Sequence, residues 1–215
     1  MKTSFPFKLN ENFTLSFIFI VVMLVLFIIS MKAQTIEWTH SYGSTGQDGG
    51  GSMVLTNDGG MVITGFKSPG AYMNKDILLM KTDAQGNELW SRTFNLGLND
   101  IGRSLRQTSD GGFIIGGMTE VNPQTFDPFL IKTDSEGILQ WYQQYDYGFG
   151  DDDRGHGVWQ TSDGGYILAG QTWLIHGSFG NYDMYIVKTD ANGNVQWRKI
   201  FYREEEGGDV ALSVQ

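Results

Sequence analysis

One unit recurs along this chain at a spacing of 52 to 53 residues, and it dictates what the chain can fold into. Asp58, Asp110 and Asp163 each open an identical Asp-Gly-Gly, and Gly65, Gly117 and Gly170 follow at the same offset. Lys81-Thr82-Asp83 returns as Lys132-Thr133-Asp134 and as Lys188-Thr189-Asp190. Trp90, Trp141 and Trp197 each stand seven residues beyond that last aspartate, and Trp38 stands 52 residues before the first of them. Internal repetition of this kind means that one supersecondary design is stacked several times, each copy burying a face of its neighbour.

Within the middle unit the pattern predicts four short strands. Residues 103–108 form the first, and Ser109-Asp110-Gly111-Gly112 is a turn whose glycines accept positive φ without a Cβ clash. Residues 113–117 read as a short apolar strand buried on both faces, too short for a stable helix. Residues 128–133 give the third strand, a turn over 134–137 follows, and residues 138–143 give the fourth. The expected fold is therefore all-β: a β-propeller of four-stranded antiparallel blades, with units at about 48–99, 100–152 and 153–208 and a further one opening at 209. Two stacked sheets or a solenoid are the competing architectures. Ile36-Glu37-Trp38 matches a fourth strand, and Asp209 is in phase with Asp48, Asp100 and Asp153. Three complete units and two partial ones fall short of the 4 to 8 blades of a closed ring. The expectation is an incomplete propeller whose parent continues, with open blade flanks that self-associate.

The segments QTSDGGYILAG (160–170) and DMYIVKTDANGNVQW (183–197) resemble the repeats of exported bacterial and archaeal β-propeller proteins, which often carry lectin-like or endoglucanase-related labels. The resemblance covers residues 36–215 and implies a fold and an exported location, but no established activity. The turn DANGNVQW is also similar to the tryptophan-docking motif of quinoprotein propellers, through Asp190, Gly193 and Trp197. Only the structural part of that likeness carries over, and no cofactor is implied.

The N-terminus reads separately. Lys2 and Lys8 precede an apolar run over 15–29, and Ala33 supplies a small residue for cleavage, which is the layout of a signal peptide over 1–33. An uncleaved membrane anchor is the alternative, since an 18-residue apolar stretch just spans a bilayer core. The expected location is outside the cytoplasm, at the cell surface, in the medium or in the periplasm. With no cysteine, neither disulfides nor lipid attachment through a thiol enter the argument. The net charge of −9 argues against nucleic acid or an anionic membrane surface as partner.

In a meander, alternate connections share one end of the sheet. The first and third turns are nearly identical across units, whereas the second connections (65–76, 117–127, 170–183) and the links between units vary, which marks their end as the expected binding surface. The candidate contacts there are Tyr72, Phe126, Tyr147, Asp151, Trp173, His176 and Tyr182. Aromatic rings interleaved with carboxylates suit a sugar, while packing between blades is the competing use of the same rings. Trp38, Trp90, Trp141 and Trp197 recur in every unit and are expected to pack blades together. Asp58, Asp110 and Asp163, like Asp83, Asp134 and Asp190, are expected to form turns. Asp151-Asp152-Asp153 invites calcium, but the ligand order of a calcium loop is missing and no metal site is assigned. No HExxH, GxSxG or phosphate-cradling loop is present, although a pair of carboxylates for glycoside hydrolysis leaves no local signature. The readings in play are a non-catalytic binding or scaffold protein for a polysaccharide or surface protein, a glycan-active enzyme or its accessory module, and a spacer in a larger adhesin.

Overall fold

A computed structural model describes residues 38–70, 74–148, 152–176, 179–201 and 208–215. Residues 1–33, expected from the sequence to be a signal peptide, lie outside these residues. Trp38 belongs to a separate unit, Met1–Thr39, and all the strands lie in the unit His40–Gln215. The described chain is all-β, with twelve strands in three four-stranded antiparallel sheets. Sheet one contains β1 (Asp48–Leu55), β2 (Met61–Lys67), β3 (Asp76–Thr82) and β4 (Glu88–Phe94). Sheet two contains β5 (Asp100–Gln107), β6 (Phe113–Asn122), β7 (Thr125–Thr133) and β8 (Leu139–Gln144). Sheet three contains β9 (Arg154–Gln160), β10 (Tyr166–His176), β11 (Phe179–Thr189) and β12 (Val195–Phe201). Strand order follows chain order in each sheet, so each is a simple meander.

The turns explain why strands begin and end where they do. In the first turn of sheet one, Gly59 adopts φ 81°, the Thr56 amide donates to Gly60 O, and Asp58 Oδ1 accepts from both the Gly60 amide and the Thr56 hydroxyl. The same arrangement recurs around Asp110 and Asp163. In the third turn Asp83 Oδ1 accepts the amides of Gln85 and Asn87, and Asp134 and Asp190 repeat that pattern two and four residues on. These carboxylates satisfy amides that a reversing chain leaves open.

Side-chain alternation then stacks the sheets. Phe113, Ile115, Phe129 and Ile131 of sheet two meet Val62, Ile77 and Leu79 of sheet one. The intervening Ile114 and Leu130 meet Val158, Leu168, Tyr185 and Val187 of sheet three. The middle sheet is thus buried on both faces, and each such aliphatic or phenyl side chain contributes about 1.5–3 kcal/mol. The first strand of each sheet leans on the preceding sheet, β5 on β1 to β3 and β9 on β5 to β7. Tryptophan rings complete the packing: a Cβ on Gly137 would stand 2.7 Å from the Trp90 ring, and one on Gly193 2.8 Å from the Trp141 ring. Trp90 and Trp141 therefore rest on the third turn of the following sheet. Trp197, at the same repeat position, is 46% exposed.

The second connections differ from the sequence expectation. The segments 117–127 and 170–183, expected as loops, are mostly strand: β6 and β7 run on to a turn at Asn122 and Thr125, and β10 and β11 to His176 and Phe179. Cross-strand pairs such as Glu120 with Phe126 and Trp173 with Tyr182 keep the ladder going. The first strand of sheet two also begins earlier than expected, at Asp100, and passes through a β-bulge between Gly102 and Ser104.

Candidate functional site

The links between sheets are built on one repeated aspartate. The Asp100 amide donates to Lys75 O, the Asp153 amide to Phe126 O and the Asp209 amide to Tyr182 O, each at 2.7 Å. The side chains hold the link itself: Asp100 Oδ2 accepts the Leu96 and Gly97 amides, and Asp153 Oδ2 the Tyr147 amide. Where Asp100 Oδ1 accepts the Thr119 hydroxyl, Asp153 Oδ1 and Thr172 Oγ1 are buried without a well-aligned bond. Burial first, and then the charges of Asp127 and Asp146, push Asp153 up to about 6 against the opposing bonds from Thr172 and Tyr147; Asp127 also rises to about 6, from burial and Asp146.

The sign of the resulting pH dependence is fixed. An aspartate whose pKa is raised on folding binds its proton more tightly in the native state, so its contribution to stability falls as pH rises from about 4 to about 6 and is flat above. The Asp153→Asn variant keeps an acceptor for Tyr147 and gains a donor for Thr172. It is expected to be about 1–2 kcal/mol more stable than the parent at pH 7 and nearly equal to it at pH 4. Urea denaturation at both pH values checks this; equal differences at the two would show that Asp153 does not carry the titration.

Beside these links lies an open cleft of about 520 Å³, lined by Lys75, Asn99, Ile101, Glu120, Gln124, Phe126, Asp152, Arg154 and Tyr182. Its residues come from the second connections and the links, the end of the sheets at which the repeat varies. The Arg154 guanidinium lies 5.5 Å from the centroids of both Phe126 and Tyr182. Asp152 accepts Arg154 at 2.5 Å and the Tyr182 hydroxyl at 2.5 Å, which fixes this wall. Glu120 accepts the Asn99 side-chain amide and the Gln124 backbone amide.

Of the residues singled out in the sequence, Phe126 and Tyr182 meet in this cleft. Trp173 packs edge-on against Tyr182 at 4.8 Å and lies across Gly180, so its ring braces the long hairpin. Tyr147 stands apart, edge-on to Tyr185 at 5.5 Å. Tyr72, Asp151 and the side chain of His176 lie outside the described residues. Among the described residues no group of three or more His, Asp or Glu is placed to hold a metal ion.

Sequence reasoning missed Lys75, Arg103, Arg154 and His156. Arg103 and His156 each occupy the extra position of a β-bulge in the first strand of their sheet, as Gly51 does in sheet one. A bulge re-aims its side chain, and here two of them meet: Arg103 Nη1 lies 2.9 Å from His156 Nδ1, and His156 Nε2 3.2 Å from Gln171 Oε1. Because a guanidinium only donates, Nδ1 accepts and Nε2 carries the proton toward Gln171. Burial, then the Arg103 charge, lowers the histidine pKa and keeps it neutral. The available signal was variation inside an otherwise repeated strand: Gly49, Ile101 and Arg154 in one column, and Gly51, Arg103 and His156 two positions on, across an invariant glycine.

Comparison of the chain with protein-family models and with curated proteins found no match.

Proposed function

We propose that the chain is part of an exported β-propeller that acts as a non-catalytic binding or scaffold module at the cell surface, taking a saccharide at the cleft of Phe126, Arg154 and Tyr182. Three equivalent meanders packed face to face, each first strand leaning on the sheet before it, support the propeller architecture. Further sheets, of this chain or of a second copy, would pack on the end faces that carry Met53 and Leu55 at one side and Trp197 and Phe201 at the other. The observation that carries the binding reading is the cleft itself, which opens where the otherwise repeated units differ. Export rests on the leader pattern of residues 1–33.

A glycan-active reading finds support in Glu120 and Asp152 lining the same cleft. Both, however, are already engaged by neighbouring donors, Glu120 by Asn99 and Gln124 and Asp152 by Arg154 and Tyr182.

A saccharide panel, titrated against the chain, tests the proposal. Phe126→Ala is expected to weaken binding about tenfold, the loss of one ring contact, while Asn87→Ala in a third turn at the other end leaves it unchanged. Hydrolysis of a panel member that Glu120→Gln abolishes would replace the binding reading by the enzymatic one.

A further inference from the structure

Arg103 is half-buried, yet its one protein hydrogen bond goes to a neutral histidine, and among the described residues it has no carboxylate within salt-bridge distance. The Arg154 charge on the neighbouring first strand acts on it, and that charge is already engaged by Asp152. Holding a half-buried cation without a counter-charge is unfavourable, more so beside a second one, and a bound anion would relieve it. The rest of the guanidinium fork is available for a planar oxyanion. Arg103 lies at the bulge two residues beyond Ile101 on β5, and Ile101 lines the cleft. Lys75, in the cleft wall, rests over the Phe66 ring and likewise has no carboxylate partner among the described residues.

Resting on the saccharide reading of this cleft, we propose that Arg103 and Lys75 form its anion subsite, and that the ligand is an acidic saccharide whose carboxylate they bind. A planar carboxylate matches the guanidinium fork in a bidentate manner. A chain of net charge −9 repels a dense polyanion, which favours a ligand of low charge density. Glu120 and Asn99 stand beside the subsite with oxygens and an amide suited to sugar hydroxyls.

The test is calorimetric titration of the full chain with a short oligouronate, with the same oligomer after reduction of its carboxyl groups, and with that reduced oligomer after sulfation. The oligouronate is expected to bind about tenfold or more tightly than its reduced form. Arg103→Gln, which can still donate to His156, should abolish that preference without lowering the melting temperature, and Arg103→Lys should restore part of it. Equal affinity for the oligouronate and its reduced form, lost on Phe126→Ala but untouched by Arg103→Gln, would overturn the anion subsite and leave the cleft reading intact. Binding of the sulfated oligomer in preference to the oligouronate would overturn the carboxylate assignment. Absence of binding by every oligomer would overturn the subsite and the saccharide reading together.

Discussion

Replacing Trp141 by alanine is expected to destabilise the protein by about 3–4 kcal/mol, whereas the same change at Trp197 costs about 1 kcal/mol or less. The two residues hold the same place in the repeat, so local sequence gives no reason for a difference. The reason is what each ring covers. Trp141 lies on the third turn of sheet three, packs against Tyr166 at 5.7 Å between centroids, and borders a core of Ile114, Leu130, Val158 and Val187. Four residues on, Tyr145 is buried and donates its hydroxyl to Gly193 O at 2.9 Å, so the tryptophan and the tyrosine clamp one turn. Removing the indole opens a cavity between two sheets that cannot collapse without moving a β-ladder. Among the described residues no such turn lies against Trp197, which is 46% exposed. Urea denaturation followed by circular dichroism measures both variants, and equal losses would sink the claim that the ring acts between sheets. Gly193→Ala adds a control. Its φ of 79° costs an alanine about 1–2 kcal/mol, and its Cβ would also displace the indole. In a Trp141→Ala background the backbone part of that cost should remain, together with whatever the flexible Gln143 side chain, 2.9 Å from such a Cβ, adds by moving aside.

The elements with fixed chemistry were legible in the sequence. Each Asp-Gly-Gly marks a turn because a residue with positive φ must sit there, and the four-strand unit follows from the spacing of its turns. The lengths of β6 and β10 were not legible. Their continuation past Gly117 and Gly170 depends on pairing with β7 and β11, and residues such as Glu120 and Gln171 read as loop when taken alone. The cleft was half legible. Variation between units pointed to the end of the sheets where the cleft lies and to Phe126 and Tyr182, which line it. The meeting of Arg103 and His156, 53 residues apart, depends on two bulges and on the packing of β9 beside β5, neither of which leaves a local mark.

Those repeated turns also conceal a tie that spacing alone does not reveal. Lys132 is repeated as faithfully as Asp110, but that the two bond across 22 residues emerges only when β7 lies beside β6. The Lys132 side chain is 4% exposed, and its ammonium donates to Asp110 at 2.8 Å, to Thr133 O at 2.8 Å and to Gln140 Oε1 at 3.2 Å. Lys188 makes the same set with Asp163, Thr189 O and Gln196. Lys132→Ala is expected to cost about 2–3 kcal/mol: breaking a fully buried pair costs somewhat more, and Asp110 is half exposed to water. Partial burial works against ionisation of Asp110, but the bonds from Lys132, Thr108 and Gly112 outweigh it and hold the carboxyl at about 2. A depressed carboxylate contributes stability above its unfolded pKa near 4 and loses it as pH falls toward 2. Lys132→Met keeps most of the buried stem and removes the charge, so its stability curve should be flatter than the parent's over that acid window. A curve parallel to the parent's would mean that the ammonium does not set the Asp110 carboxyl. The tie lies at the end of the sheets where every unit is alike, opposite the cleft, which leaves the links and second connections at the other end free to differ from unit to unit.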